Sequence, residues 1–422
     1  MKRKKSLLIS MVLIFSLILS GCGGNSAETE KKDEVVKIGA IFPLSGSNAL
    51  LGDESLRGAQ LALDEINANG GLWGKQIELD IADAPDATAA QTEAERLINK
   101  DGVKLIFGAY SSSLSNVISD VCARYEIPYF ELGAIGTDIM TKDYPYLWRT
   151  CSEAPQFGAG QAKYFDEVAL PALGIAKEDA KIVLAHEDSL YGTSVAEAAL
   201  KSLKELGYKE ANLKEIPYSA TSVDLSSVIL EAKSFNPTAL LTVSYVTDQI
   251  LLTRQAEELN LQVPVWIGAG GGMSMIPTLE AVGNGMYALT GIDFPQYEVN
   301  KDNIKGVDTF ITTYNDAYGE NPRSGHSMTN YSGIQIMYDV LDAAGSLDKD
   351  AIKDAAATIN KPTNTYTGGY GVKFDERGQN TLAPLVIGMW TLDKLVAVWP
   401  EEFAIAEPII PIPSWADKKV MK

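Results

Sequence analysis

The 422 residues contain only two histidines and three cysteines. That scarcity removes most metal and redox chemistry from consideration. His186-Glu187 lacks the second histidine of a zinc-protease helix, because Leu190 stands in its place. No Cys-x-x-Cys pair is present to hold zinc or cycle as a dithiol. The glycine run Gly268-Ala269-Gly270-Gly271-Gly272-Met273 departs from the dinucleotide fingerprint at Met273. Neither a Walker loop nor a Gly-x-Ser-x-Gly elbow occurs. A hydrolase built on His186 with Asp188 or Glu187 lacks a visible orienting group. The expectation is a chain that is no enzyme and takes no cofactor and no metal.

Positive charge is also in short supply. Lys and Arg number 36 against 55 Asp and Glu, for a formal charge of −19. Nucleic acid needs clustered cations to displace its counterions, so it is excluded as a partner. Adhesion to anionic lipid is disfavoured for the same reason. After residue 21 there is no apolar run long enough to span a bilayer.

The N-terminus has a pattern of its own. Met1-Lys2-Arg3-Lys4-Lys5 is followed by apolar residues from Leu7 to Leu19, then by Leu19-Ser20-Gly21-Cys22. A basic start, a short apolar core and a small-residue stop form an export signal. The arrangement resembles the bacterial lipoprotein signal, which implies cleavage after residue 21 and a lipid on Cys22. Residues 22–34 are small and charged and are expected to form a flexible tether. Cys122 and Cys151 remain, and we expect two buried free thiols.

Beyond the tether, short β-branched runs alternate with helix-period segments. Val36–Phe42 reads as a strand and Leu50–Asn69 as a helix, and the alternation continues through Val103–Phe107 and Ser112–Tyr125. It restarts after a break near Thr150–Pro155, with strands at Lys181–Ala185, Thr238–Val243 and Val263–Ile267. A third block holds helices around Asn303–Tyr318 and Tyr331–Ala344, and the tail from Gly368 to Val398 reads as short strands. This pattern and the length predict two α/β domains with parallel sheets. Such sheets bind ligands at the carboxyl ends of their strands, in the loops that lead into helices.

Four of those loops carry candidate binding groups. Gly108-Ala109-Tyr110-Ser111-Ser112-Ser113 places serines at a helix start, where they can cap it or meet an anion. Glu131-Leu132-Gly133-Ala134-Ile135-Gly136 allows close backbone approach. His186 to Gly192 and Tyr245-Val246-Thr247-Asp248 offer Tyr191, Tyr245 and Asp248.

Three stretches carry a wider resemblance: Ile38-Gly39-Ala40-Ile41-Phe42-Pro43-Leu44-Ser45-Gly46, the segment Gly58 to Gly71, and the triple-serine loop. The chain resembles the leucine/isoleucine/valine-binding (type I) periplasmic binding proteins of ABC importers, from Val36 to about Trp399. The resemblance implies an α/β fold of two doubly wound Rossmann-like lobes joined by three crossover segments. It implies a first lobe at 35–150 and 290–365 and a second at 151–289 and 366–422. It further implies a small amino acid, branched-chain or otherwise apolar, held between the lobes and delivered to a membrane permease.

Site roles carry over residue by residue. Ser112, beside Ser111, matches the family's carboxylate-binding serine, and Gly133, Ala134 and Ile135 match its backbone loop. Tyr191 and Tyr245 match the closing residues. The family's acidic anchor for the ammonium group falls at or near Gly270, which has no carboxylate. Asp188, Asp248 or Asp293 then takes that part, or the ligand is a non-amino small carboxylate such as an aromatic acid. Leu51 stands where the family has an aromatic residue. The same fold serving a signalling partner as a sensor is the other alternative.

Overall fold

The structure, a computed structural model, describes residues 35–421. The expected signal (1–21), the expected tether (22–34) and Cys22, the expected lipidation site, lie outside the described residues.

The first sheet comprises β1 (Val36–Phe42), β2 (Ile77–Asp83), β3 (Ile106–Gly108), β4 (Tyr129–Glu131) and β5 (Leu147–Arg149). All its pairings are parallel, in the order β2-β1-β3-β4-β5. β1 explains why both faces are covered. Ile38, Ala40 and Phe42 enter one apolar cluster and Ile41 the other, so helices must pack on each side.

The second sheet starts with β6 (Ile182–Glu187), β7 (Leu213–Tyr218), β8 (Ala239–Val243), β9 (Val265–Ala269) and β10 (Thr290–Asp293). Its parallel part runs β7-β6-β8-β9-β10, which repeats the winding of the first sheet. Next in the chain come β11 (Asn360–Lys361) and β12 (Val372–Lys373), a small separate pair. β13 (Val386–Trp390) and β14 (Leu395–Trp399) then extend the second sheet with antiparallel pairings.

Two crossover positions differ from the expected boundaries. Residues 290–293 were expected in the first lobe, yet as β10 they pair with β9 and β13 in the second sheet. Residues from 366 were expected in the second lobe. Tyr366, Tyr370 and Val372 instead pack with Ile336 of helix Gly325–Ala344, whose Ile334 and Met337 lie on the first sheet. The chain therefore passes between the two sheets after β5, after β10 and between β12 and β13. The reason is that a short β-branched run does not reveal which sheet will accept it.

The sequence reading also left 156–180 without an element. A helix forms over Ala154–Tyr164 and continues through a π turn at Phe165–Ala169 to Leu170–Leu173. The local cue is Pro155 in the first turn, together with Gln156 Oε1 accepting the Glu153 N–H at 2.9 Å. Cys122 and Cys151 are buried and free, as expected.

First and third crossings are tied by one side chain. Arg149, fully buried, donates to Gln379 Oε1 at 2.6 Å and to Glu153 Oε2 at 3.2 Å. Its guanidinium also donates to the carbonyls of Ala134 (3.1 Å) and Gly136 (2.9 Å). A buried cation is tolerated only when its donors are spent in this way.

Candidate functional site

In each sheet the strand order reverses between its first and third strands, and at that point the flanking loops part. The two parting points face each other across a cavity lined by loops of both sheets. Thr137 N–H donates to Ser194 Oγ at 3.2 Å, and Ile276 N–H donates to the Arg323 carbonyl at 3.0 Å. These contacts bring the two sides together around the cavity.

On the first-sheet side, helix Ser112–Arg124 begins straight after β3. Ser111 is its N-cap residue but makes no side-chain cap bond, contrary to the capping role open to the serines in the sequence. The first-turn N–H groups thus keep their donor capacity. Ser112 lines the cavity, and its Oγ accepts the Gly136 N–H at 3.0 Å. The loop after β4 is held from behind. Buried Glu131 accepts the N–H groups of Gly133 (2.7 Å), Ala134 (2.6 Å) and Ala109 (3.1 Å), and the Tyr129 hydroxyl at 2.6 Å. Burial raises the Glu131 carboxyl, while those donors pull it back down. The N–H groups of Gly133 and Ala134 are therefore committed to the protein. Gly133 and Ile135 still line the cavity.

On the second-sheet side, Tyr191 and Tyr245 pack with ring centroids 5.2 Å apart and their planes tilted by 52°, and both line the cavity. The Tyr191 hydroxyl donates to the Ala269 carbonyl at 2.7 Å, so the ring presents area rather than a free polar tip. Gly270 also lines the cavity, with φ at +69°. A Cβ there would stand 2.2 Å from Tyr191 Oη. The position of the family's acid is therefore closed to any side chain while Tyr191 points this way. Leu51 reaches over from the first lobe, and a Cβ on Gly271 would lie 2.7 Å from its Cδ1.

The three candidate acids go to different places. Asp188 is exposed and accepts the Ala220 N–H at 3.3 Å. Asp248 is buried behind the wall, where it accepts the Tyr218 hydroxyl at 2.7 Å and does not line the cavity. The Asp248 side chain, expected from the sequence to contact ligand, turns toward β7 here. Ser111 and Ala134 likewise lie outside the lining. Asp293, at the carboxyl end of β10, does line the cavity. Its oxygens accept from Ser274 Oγ and from the Phe294 N–H (2.8 Å), and burial pushes the carboxyl up to about 6.

Several wall residues escaped the sequence reading: Tyr110, Phe157, Phe294 and His326. Tyr110 sits inside the serine motif and was legible there. The other three come from segments far apart in the chain, which only the crossovers assemble. His186, the histidine singled out in the sequence, is spent elsewhere. Its ring nitrogens meet the Glu187 carbonyl (2.9 Å) and Glu215 Oε1 (3.1 Å).

A family model described as "Periplasmic binding protein" matches residues 35–391. The "Leu/Ile/Val-binding protein homolog 7" of Brucella suis is 37% identical over 402 residues, covering 95% of this chain and 98% of that one. Among solved structures, the branched-chain amino acid transporter substrate binding protein LivJ of Streptococcus pneumoniae, in complex with isoleucine, superposes with a TM-score of 0.73. It is 23% identical, with 87% of this chain and 100% of that chain covered. A solute binding protein of an ABC transporter from R. palustris, in complex with benzoate, gives a TM-score of 0.74 at 18% identity, with 90% and 99% covered. With two sheets whose parallel strands are wound alike and a cavity at their parting points, the chain belongs to the periplasmic binding protein family, an extracytoplasmic family that binds solutes rather than transforming them.

Proposed function

We propose that this chain is the solute-binding lipoprotein of an ABC importer, lipid-anchored through Cys22, and that its cleft takes a small zwitterionic amino acid for delivery to a membrane permease. The ligand carboxylate meets the Ser112 helix start and the Ile135 loop, and the ammonium meets Asp293. The aromatic walls cover the remainder. No Lys or Arg lines the cavity among the described residues, so backbone dipoles and hydroxyls carry the anion. The observation that carries this reading is Asp293: it supplies, from β10, the carboxylate that Gly270 cannot.

A non-amino carboxylate is the second reading, favoured by the aromatic character of the wall. The two separate by the sign of their pH dependence. Asp293 starts with its carboxyl raised to about 6. An ammonium ligand stabilises the ionised form, so its affinity is full above pH 6 and falls as pH drops through that value. A lone carboxylate prefers the protonated form and behaves oppositely. Isothermal titration of leucine and of benzoate at pH 5 and pH 8 decides between them. We expect leucine to bind, and more tightly at pH 8. Binding by benzoate alone, tighter at pH 5, sinks the amino-acid reading.

A further inference from the structure

Two residues of the cavity wall each carry a polar atom that nothing among the described residues satisfies. Tyr110 Oη and His326 Nδ1 are buried and lack a hydrogen-bond partner among the described residues. Both residues line the cavity, and their rings meet edge to face with centroids 5.4 Å apart. His326 also meets Phe294 edge to face at 5.1 Å, so its ring is fixed between two aromatic neighbours. Eight buried side-chain atoms are unpaired among the described residues, and this pair shares one lining. Leaving a buried donor or acceptor unmet is costly, so two together in a ligand cavity point to what the ligand brings.

Charge narrows the choice further. No cation lines the cavity among the described residues, and Asp293 already contributes a carboxylate. A second acidic group on the ligand would be buried without a partner. His326 cannot supply the cation, because burial holds its imidazole neutral, down to about 3. A neutral imidazole and a phenol can each donate or accept, which suits a hydroxyl or a carboxamide equally.

We propose that the preferred ligand carries an uncharged hydrogen-bonding group at its distal end, a hydroxyl or an amide, which pairs with Tyr110 Oη and His326 Nδ1. This rests on reading the cavity as the ligand site. It departs from the family likeness, which points to apolar side chains. A branched-chain amino acid would leave both atoms unmet, whereas a polar analogue of the same shape would satisfy them. The discrimination follows the general rule that a site built to hydrogen-bond rejects an analogue lacking the group.

The test uses near-isosteric pairs on the whole mature chain: threonine against valine, asparagine against leucine, and 4-hydroxybenzoate against benzoate. Isothermal titration should show the polar member of at least one pair binding about tenfold more tightly or better. In Tyr110→Phe, which keeps the ring and removes only the unpaired hydroxyl, that ratio should shrink toward one. Glutamine should also bind where glutamate does not. Apolar members that bind as tightly as their polar partners overturn the proposal, and this arm needs no variant. A preference confined to the benzoate pair keeps the polar contact and removes the amino-acid reading, so the two ideas fail separately.

Discussion

On the first-sheet side of the cavity, Ser112, Gly133 and Ile135 line the wall with one hydroxyl and no charged side chain. The buried acid there, Glu131, lies behind the loop and accepts its N–H groups. On the other side, Tyr191 and Tyr245 offer ring faces, and Asp293 offers a carboxylate directly. Both sides rest on the same winding, yet one uses its buried acid to shape a loop and the other places an acid in the cavity lining. The difference shows what twin folds leave undecided. The strand order fixes where a ligand sits, and the identity of a few end-of-strand residues fixes which of its groups is held on which side.

The largest effect should come from removing the charge on the acidic side. Asp293→Asn keeps the shape and an acceptor for the Phe294 N–H but leaves a ligand ammonium unpaired. Breaking such a buried pair costs about 2–5 kcal/mol. Calorimetry with the best amino acid should show that loss, and the pH dependence between 5 and 8 should flatten. An unchanged affinity would place the ammonium elsewhere.

Gly270→Asp restores an acid where the family likeness expects one. It should weaken binding rather than strengthen it, because the residue has positive φ and its Cβ meets Tyr191 Oη. Strain of this kind is worth about 1–3 kcal/mol. Adding Tyr191→Phe removes the colliding oxygen, so the double variant should recover part of the loss. Equal binding by single and double variants would show that Tyr191 does not close the position.

A smaller effect is expected on the dipole side. Ser112→Ala removes one hydroxyl from the carboxylate end and frees the Gly136 N–H, for a loss of about 1–2 kcal/mol. Titration of the same ligand against this variant checks it. A loss as large as that of Asp293→Asn would mean that the two sides do not divide the work as described.

Residues in strand-to-helix loops were legible in the sequence, because their place follows from local alternation alone. Ser112, Gly133, Ile135, Tyr191, Tyr245 and Gly270 all line the cavity for that reason. Asp248 sits in the first turn of the helix after β8 and turns its carboxylate to Tyr218, a partner that only the pairing of β6 with both β7 and β8 brings near. Asp293 could be named among three acids but not chosen. Its worth depends on β10 joining the second sheet, and a four-residue strand carries no mark of its partner. Ser111 shows the limit of local rules, since it holds the N-cap position without forming the cap bond.

Asp248 and Asp293 give the finest test of this division, since both are buried acids beside the same wall. Burial is the main cause raising the Asp248 carboxyl to about 7, with the Tyr218 hydroxyl acting in the opposite sense. A folded-state value above the unfolded one, about 3.9, means that the native protein binds the extra proton between those limits. The stability this provides is complete below about pH 4 and is lost as pH rises through 7. Asp248→Asn has no such proton to lose. Its melting temperature should therefore decline less than that of the parent between pH 5 and pH 8, leaving the variant a few degrees higher at pH 8. Because the side chain stays behind the wall, ligand affinity at pH 8 should not change. A variant that melts in parallel with the parent, or that binds more weakly, would assign Asp248 to the cavity after all and erase the contrast with Asp293.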